Sequence, residues 1–174
     1  MKLTLEGLKL GNEWKEKAYK LPAFDYEAVK AETIKNPNWI HFGAGNIFRA
    51  FLANVNQNNL NEKSAQKGIV VAEGFDYEII EKMNKPHDNL SLLVTLKSTG
   101  EVEKTVVASV MESLTVDPDN SSDWKRLKEI FVNPSLQIVS FTITEKGYNL
   151  KDNKGSYYPA VQADFEAGPE NTQS

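Results

Sequence analysis

Trp39-Ile-His-Phe-Gly-Ala-Gly-Asn-Ile-Phe-Arg-Ala-Phe-Leu52 reads as a buried strand passing through a glycine turn into a helix. Trp39, Ile40 and Phe42 are bulky enough for a short buried strand, and Gly43 and Gly45 then permit a turn that side chains would block. Ile47, Phe51 and Val55 follow at helical spacing, with Phe48 and Leu52 flanking them as the expected apolar face. A pyrophosphate at that turn would meet unpaired backbone N–H groups and the positive end of the helix dipole.

Working outward, the chain alternates strands and helices. Upstream, Pro22 and Pro37 bracket one helix with Asp25 as its N-cap, while residues 1 to 20 are weakly patterned and expected to wrap the outside of the domain. Downstream, the helix from about Asn46 is expected to dissolve in the Asn-rich stretch Asn54 to Gln66. Gly68-Ile-Val-Val-Ala-Glu73 is a second buried strand of parallel-sheet character. A short helix capped by Asp76 is expected to run to Met83 and stop at Pro86. Leu92–Leu96 and Val106–Val110 are strand-like runs around Thr99-Gly100, which points to an antiparallel insertion. Ser121 and Ser122 precede an amphipathic helix carrying Trp124, Leu127, Ile130 and Phe131. Leu136–Ile143 is a further strand entering the polar turn Thr144–Tyr148, and the chain then stops after Gly168-Pro169 with no closing element expected.

The fold class is therefore α/β and Rossmann-like, a mostly parallel sheet with an antiparallel β insertion. A complete dinucleotide fold has six parallel strands, and only three or four are legible here, so the domain reads as incomplete. Residues 1–37 are assigned as an N-terminal extension with one helix, and 38–174 as the nucleotide-binding domain.

Composition narrows the function. A net charge of −4 and a pI near 5.3 offer no basic stripe for nucleic acid. Lys125, Arg126 and Lys128 are answered by Asp123 and Glu129 as a solvated helix face. The absence of cysteine removes disulfides, thiolate metal sites and cysteine nucleophiles together. No apolar run approaches a membrane span or a signal sequence, so the expectation is a cytoplasmic protein without a membrane partner.

The glycine turn matches G-x-G-x-x-G/A at Gly43 and Gly45 but places Phe48 at the third position. Taken alone, the motif is balanced against an ordinary strand-to-helix turn. Context favours the nucleotide, because the second strand ends in Glu73, where NAD-binding folds place a carboxylate for the adenosine ribose hydroxyls. A carboxylate there repels the 2′-phosphate of NADP. Asp76 competes for the same role.

Phe42-Gly-Ala-Gly-Asn-Ile-Phe-Arg-Ala-Phe51, the strand Gly68–Val71 and Ser140-Phe-Thr-Ile-Thr-Glu-Lys-Gly-Tyr148 together resemble the N-terminal part of the mannitol dehydrogenase family, the polyol-specific long-chain dehydrogenases. In that family the third glycine position is often a larger residue followed by Arg, as in Phe48-Arg49. The resemblance implies a Rossmann-like domain that binds NAD, followed by a largely helical domain. It also implies hydride transfer to a ketose or keto-sugar acid without a catalytic metal. The general base implied is a lysine in the C-terminal half, so neither Lys146 nor any other lysine of this chain takes that role. What carries over is the cofactor turn Gly43, Ala44, Gly45, Asn46, Ile47, Phe48 and Arg49, together with Glu73. The segment Gly-Asn-Ile-Phe-Arg-Ala-Phe looks closer to the fructuronate and tagaturonate reductases than to the mannitol enzymes, which makes a hexuronate the leading substrate. A non-catalytic nucleotide-sensing domain and an S-adenosylmethionine-binding domain are the competing readings.

Several residues have local readings of their own. Asn46 suits an N-cap that also touches phosphate, and Arg49 suits either the pyrophosphate or a surface ion pair. Glu145 is a candidate border of the nicotinamide. His41 is expected to be a satisfied core imidazole, and His87 shows no partner. Trp39, Phe48, Phe51, Trp124, Phe131 and Phe141 are assigned to packing, and no His, Asp and Glu spacing resembles a metal site.

Overall fold

The computed structural model describes residues 1–143, 147, 149–169 and 171–172. The chain forms two compact units, Met1–Thr142 and Ile143–Ser174. The Thr144–Tyr148 turn, and Glu145 with it, lies outside the described residues apart from Gly147.

The first unit is built on β2 (Trp39–Phe42), β3 (Ile69–Glu73), β6 (Val110–Thr115) and β7 (Ile138–Phe141), all parallel, in the order β6-β3-β2-β7. All five residues of β3 are buried. Alternation along that strand then sorts them between two apolar layers. Ile69 and Val71 join Phe48, Ala53, Ile80 and Val107 on one face, whereas Val70 and Ala72 join Ile40, Leu114, Leu127 and Ile130 on the other. Helices therefore cover both faces, as a parallel sheet requires. The chain leaves β2 first toward β3 and later returns to its other side as β7, so the topological switch lies between β2 and β7. Open α/β sheets bind ligands at such a point, beyond the carboxyl ends of the strands.

The insertion between β3 and β6 is an antiparallel hairpin, β4 (Ser91–Leu96) and β5 (Val102–Val107), as expected from Thr99-Gly100. The run Val106–Val110 is not one strand, however. It breaks at Ala108-Ser109, where the chain leaves the small sheet and enters β6, a strand that the mixed segment Met111–Thr115 had concealed. The small sheet is completed by β1 (Tyr19–Lys20), which pairs in parallel with β5. Residues 1–37 hold α1 (Leu5–Leu8), α2 (Gly11–Glu16), β1 and α3 (Tyr26–Lys35), rather than a single helix. Trp14 of this segment is buried with Leu90, Val106 and Ala108 in a third apolar cluster, and its Nε1 donates to the Gly7 carbonyl at 2.8 Å.

The helix after the glycine turn departs from expectation in two ways. It runs through a π-helical segment, Phe48–Ala53, directly into α4 (Asn54–Asn61), so the first part of the Asn-rich stretch is helical and only residues 62–66 form the connection back to the sheet. Its buried stripe is Phe48, Ala53, Asn56, Gln57 and Leu60, while Ile47 and Phe51 are 72% and 63% exposed and Val55 is exposed as well. Phe48 and Ala53 are five residues apart, the repeat of a π turn, which displaces the apolar stripe from a regular α-helical register. Gln57 is buried because it spans the β5–β6 break, its Nε2 donating to the Val106 carbonyl at 2.8 Å and its Oε1 accepting from Ala108 N–H at 2.6 Å.

Smaller corrections follow the same logic. The cap of α5 (Ser121–Phe131) is Asn120, whose side chain accepts from Asp123 N–H, one residue before the serines. Arg126 is not a solvated cation but holds Glu112 of β6 with two nitrogens at 2.9 Å. Phe131 and Phe141 are about half exposed, not core. His87 does have a partner, the Leu3 carbonyl 2.9 Å from its Nδ1. In the second unit, α6 (Pro159–Ala167) is a helix where the sequence showed no closing element. Pro159 opens it, and Gly168, with φ +78°, ends it.

Candidate functional site

The site begins at the carboxyl end of β2. Gly43 has φ +108°, and a Cβ there would lie 2.5 Å from the Thr142 hydroxyl oxygen. Glycine at 43 is therefore a requirement of the protein's own packing. Gly45 differs, since a Cβ there would meet nothing within 4 Å. The space above Gly45 is open, which is what close approach of a phosphate to the backbone needs.

The helix starts as Arg49 N–H bonds back to the Gly45 carbonyl at 3.2 Å, which makes Gly45 rather than Asn46 the capping position. The N–H groups of the first turn point out of the helix end with no preceding helical carbonyl to bond. Asn46 instead accepts from Arg49 Nη2 at 2.6 Å, and Arg49 forms no ion pair among the described residues. Both side chains line a cleft of about 410 Å³ together with Met83, His87 and residues of β4.

Phe48, at the broken third position of the motif, is fully buried and stacks on the His41 ring, with centroids 4.3 Å apart and planes within 8°. The aromatic pair thus fills the space between helix and strand that a third glycine would have closed. His41 is satisfied, as its sequence position suggested, with Nδ1 2.8 Å from Ser140 Oγ and Nε2 3.1 Å from Thr142 Oγ1. Burial lowers its pKa to about 4, so the ring is neutral at pH 7.

Glu73, at the end of β3, is brought to the turn, and Asp76 is not. Glu73 Oε2 accepts from Ala44 N–H at 2.7 Å, and Oε1 accepts from Phe75 N–H at 3.0 Å and Asp76 N–H at 3.4 Å. A carboxylate has about four acceptor positions, so Oε2 keeps one for a further donor. The sequence did not disclose this direct link between Glu73 and the glycine turn. Thr142 was also missed, because a hydroxyl beyond a strand end carries no pattern of its own. Among the described residues no cluster of His, Asp and Glu could hold a metal ion, and no helix is long and apolar enough to cross a membrane.

Comparison with known proteins bears on this arrangement. No family model matches the chain. A D-mannonate oxidoreductase of Thermotoga maritima is 49% identical over all 174 residues, which correspond to 32% of that protein. The chain belongs to the mannitol dehydrogenase family. A mannitol 2-dehydrogenase of Cereibacter sphaeroides is 30% identical over 149 residues, covering 79% of the chain and 27% of that enzyme. A polyol:NADP oxidoreductase of Gluconobacter oxydans is likewise 30% identical, over 83% of the chain and 29% of the relative. Among solved structures, Pseudomonas fluorescens mannitol 2-dehydrogenase, in a ternary complex with NAD and D-mannitol, superposes with TM-score 0.75 over 95% of the chain and 32% of that structure at 24% identity, a likeness of fold. The chain spans about a third of the length of the family members it matches, and its α/β fold with a four-stranded parallel sheet corresponds to part of theirs.

Proposed function

We propose that residues 38 onward form an NAD-binding domain, with residues 1–37 as its extension, in an oxidoreductase that transfers hydride between NAD(H) and a sugar acid. The observation that carries this reading is the open space above Gly45, set at the switch point of the sheet, with Glu73 bonded to the adjacent Ala44 N–H. The pyrophosphate is assigned to the turn Gly43–Arg49, against the helix N-terminus, with Arg49 as its cation. The adenosine ribose is assigned to the remaining acceptor of Glu73. When bound, NAD supplies the hydride acceptor, and this chain's residues bind and orient it.

A sugar acid is favoured over a neutral polyol because the D-mannonate oxidoreductase is 49% identical, against 30% for the mannitol enzyme. Oxidation of a secondary hydroxyl of such an acid yields a keto acid of the fructuronate or tagaturonate kind. The substrate and the proton-transferring lysine are assigned to a further domain outside this chain.

Calorimetry tests the cofactor assignment. NAD is expected to bind at least about tenfold more tightly than NADP, since a 2′-phosphate set against Glu73 costs like-charge repulsion. Glu73→Gln narrows that gap. Equal affinities in the unaltered chain would remove Glu73 from the site.

A further inference from the structure

Five polar groups form one continuous, partly buried chain that ends at the glycine turn, with His41 fully buried at its centre. Trp39 Nε1 is 2.7 Å from Ser140 Oγ, Ser140 Oγ is 2.8 Å from His41 Nδ1, His41 Nε2 is 3.1 Å from Thr142 Oγ1, and Thr142 Oγ1 is 3.3 Å from the Gly43 carbonyl oxygen. The two ends set the direction of every hydrogen. Indole N–H only donates, so Ser140 Oγ accepts from Trp39 and is free to donate to His41 Nδ1. A carbonyl only accepts, so Thr142 donates to Gly43 and turns a lone pair toward His41. His41 then carries its proton on Nε2, and all five groups are satisfied at once.

We infer that Thr142, oriented by His41, is a positioning residue for the cofactor turn. The inference rests on the proposal that this turn holds the dinucleotide. Thr142 stands immediately past β7 and Gly43 immediately past β2, the two strands that flank the switch point. Gly43 is held from both sides, its N–H by the Ala72 carbonyl at 2.8 Å and its carbonyl by the Thr142 hydroxyl. The first bond fixes the peptide plane before Gly43, and the Thr142 bond fixes the plane leading to Ala44 and with it the direction of the Ala44 N–H. Phe48 stacked on the His41 ring fixes the imidazole that orients Thr142, which gives the residue breaking the glycine motif a function. Burial keeps the ring neutral, so the direction of the chain does not invert near pH 7.

The test compares Thr142→Val, which keeps the shape and removes the hydroxyl, with Thr142→Ser, which keeps the hydroxyl. Two readouts are taken on each: affinity for NAD, and hydrogen exchange at Ala44 N–H, the turn amide bonded to Glu73. The valine variant is expected to bind NAD about five- to tenfold more weakly and to exchange Ala44 faster, with the serine variant restoring both. Nitrogen-15 shifts of His41 are expected to report a protonated Nε2 and a bare Nδ1. A valine variant that matches the parent in both readouts, or a serine variant that fails with valine, overturns the inference. If no form of the chain binds NAD while Ala44 exchange still follows the hydroxyl, the cofactor reading falls and the positioning role stands.

Discussion

At the scale of single residues, the two glycines of the turn separate what folding requires from what a ligand requires. Gly43→Ala introduces a Cβ 2.5 Å from the Thr142 hydroxyl at a φ of +108°, and is expected to cost about 2 kcal/mol or more of stability, read as a fall in urea midpoint. At Gly45 an added Cβ meets nothing within 4 Å, so the melting temperature of Gly45→Val is expected to hold while NAD affinity is lost. A Gly45→Val variant that still binds NAD would take the turn out of the site. His41 adds a pH dependence with a definite sign. Its pKa falls from an ordinary 6.5 to about 4 because burial disfavours the charged ring. The unfolded chain therefore binds the proton more readily, and the contribution is complete above about pH 6.5 and fades as pH drops toward 4. Thermal melts from pH 4 to 7 are expected to show a shallower slope for His41→Asn than for the parent chain.

At the scale of elements, the helix following the turn was legible only in part. Its start was visible from the glycines, but its buried face was not, because a π segment shifts the stripe and because Asn56 and Gln57 look like surface residues. Gln57 is buried to serve Val106 and Ala108, backbone groups separated from it by 49 and 51 residues. No local pattern contains that pairing. Gln57→Leu leaves both groups unpaired in a dry interior and is expected to cost roughly 2–4 kcal/mol, measured by denaturant unfolding. The hairpin β4–β5 was readable because Thr99-Gly100 announces it, whereas β6 was hidden because Met111-Glu-Ser-Leu-Thr115 neither alternates cleanly nor forms an apolar run.

At the scale of the whole molecule, the chain carries the nucleotide-binding portion proposed above and about a third of the length of its relatives. By itself it is expected to show no dehydrogenase turnover with hexuronates or polyols, assayed by NADH absorbance. Turnover would mean that the proton-transferring group lies within these residues. The sequence alone determined the α/β class, the parallel strands β2, β3 and β7, the glycine turn, and a family resemblance anchored in Phe48-Arg49. These follow from local periodicity and from a backbone conformation that only certain residues adopt. Tertiary structure alone decided that Glu73 bonds the turn at Ala44 N–H, which face of the helix is buried, and that Trp39, His41, Ser140 and Thr142 join in one hydrogen-bonded chain ending at Gly43. The physical reason is distance along the chain: Glu73 meets Ala44 across 29 residues and His41 meets Ser140 across 99, and such contacts exist only once the sheet has set β2 between β3 and β7.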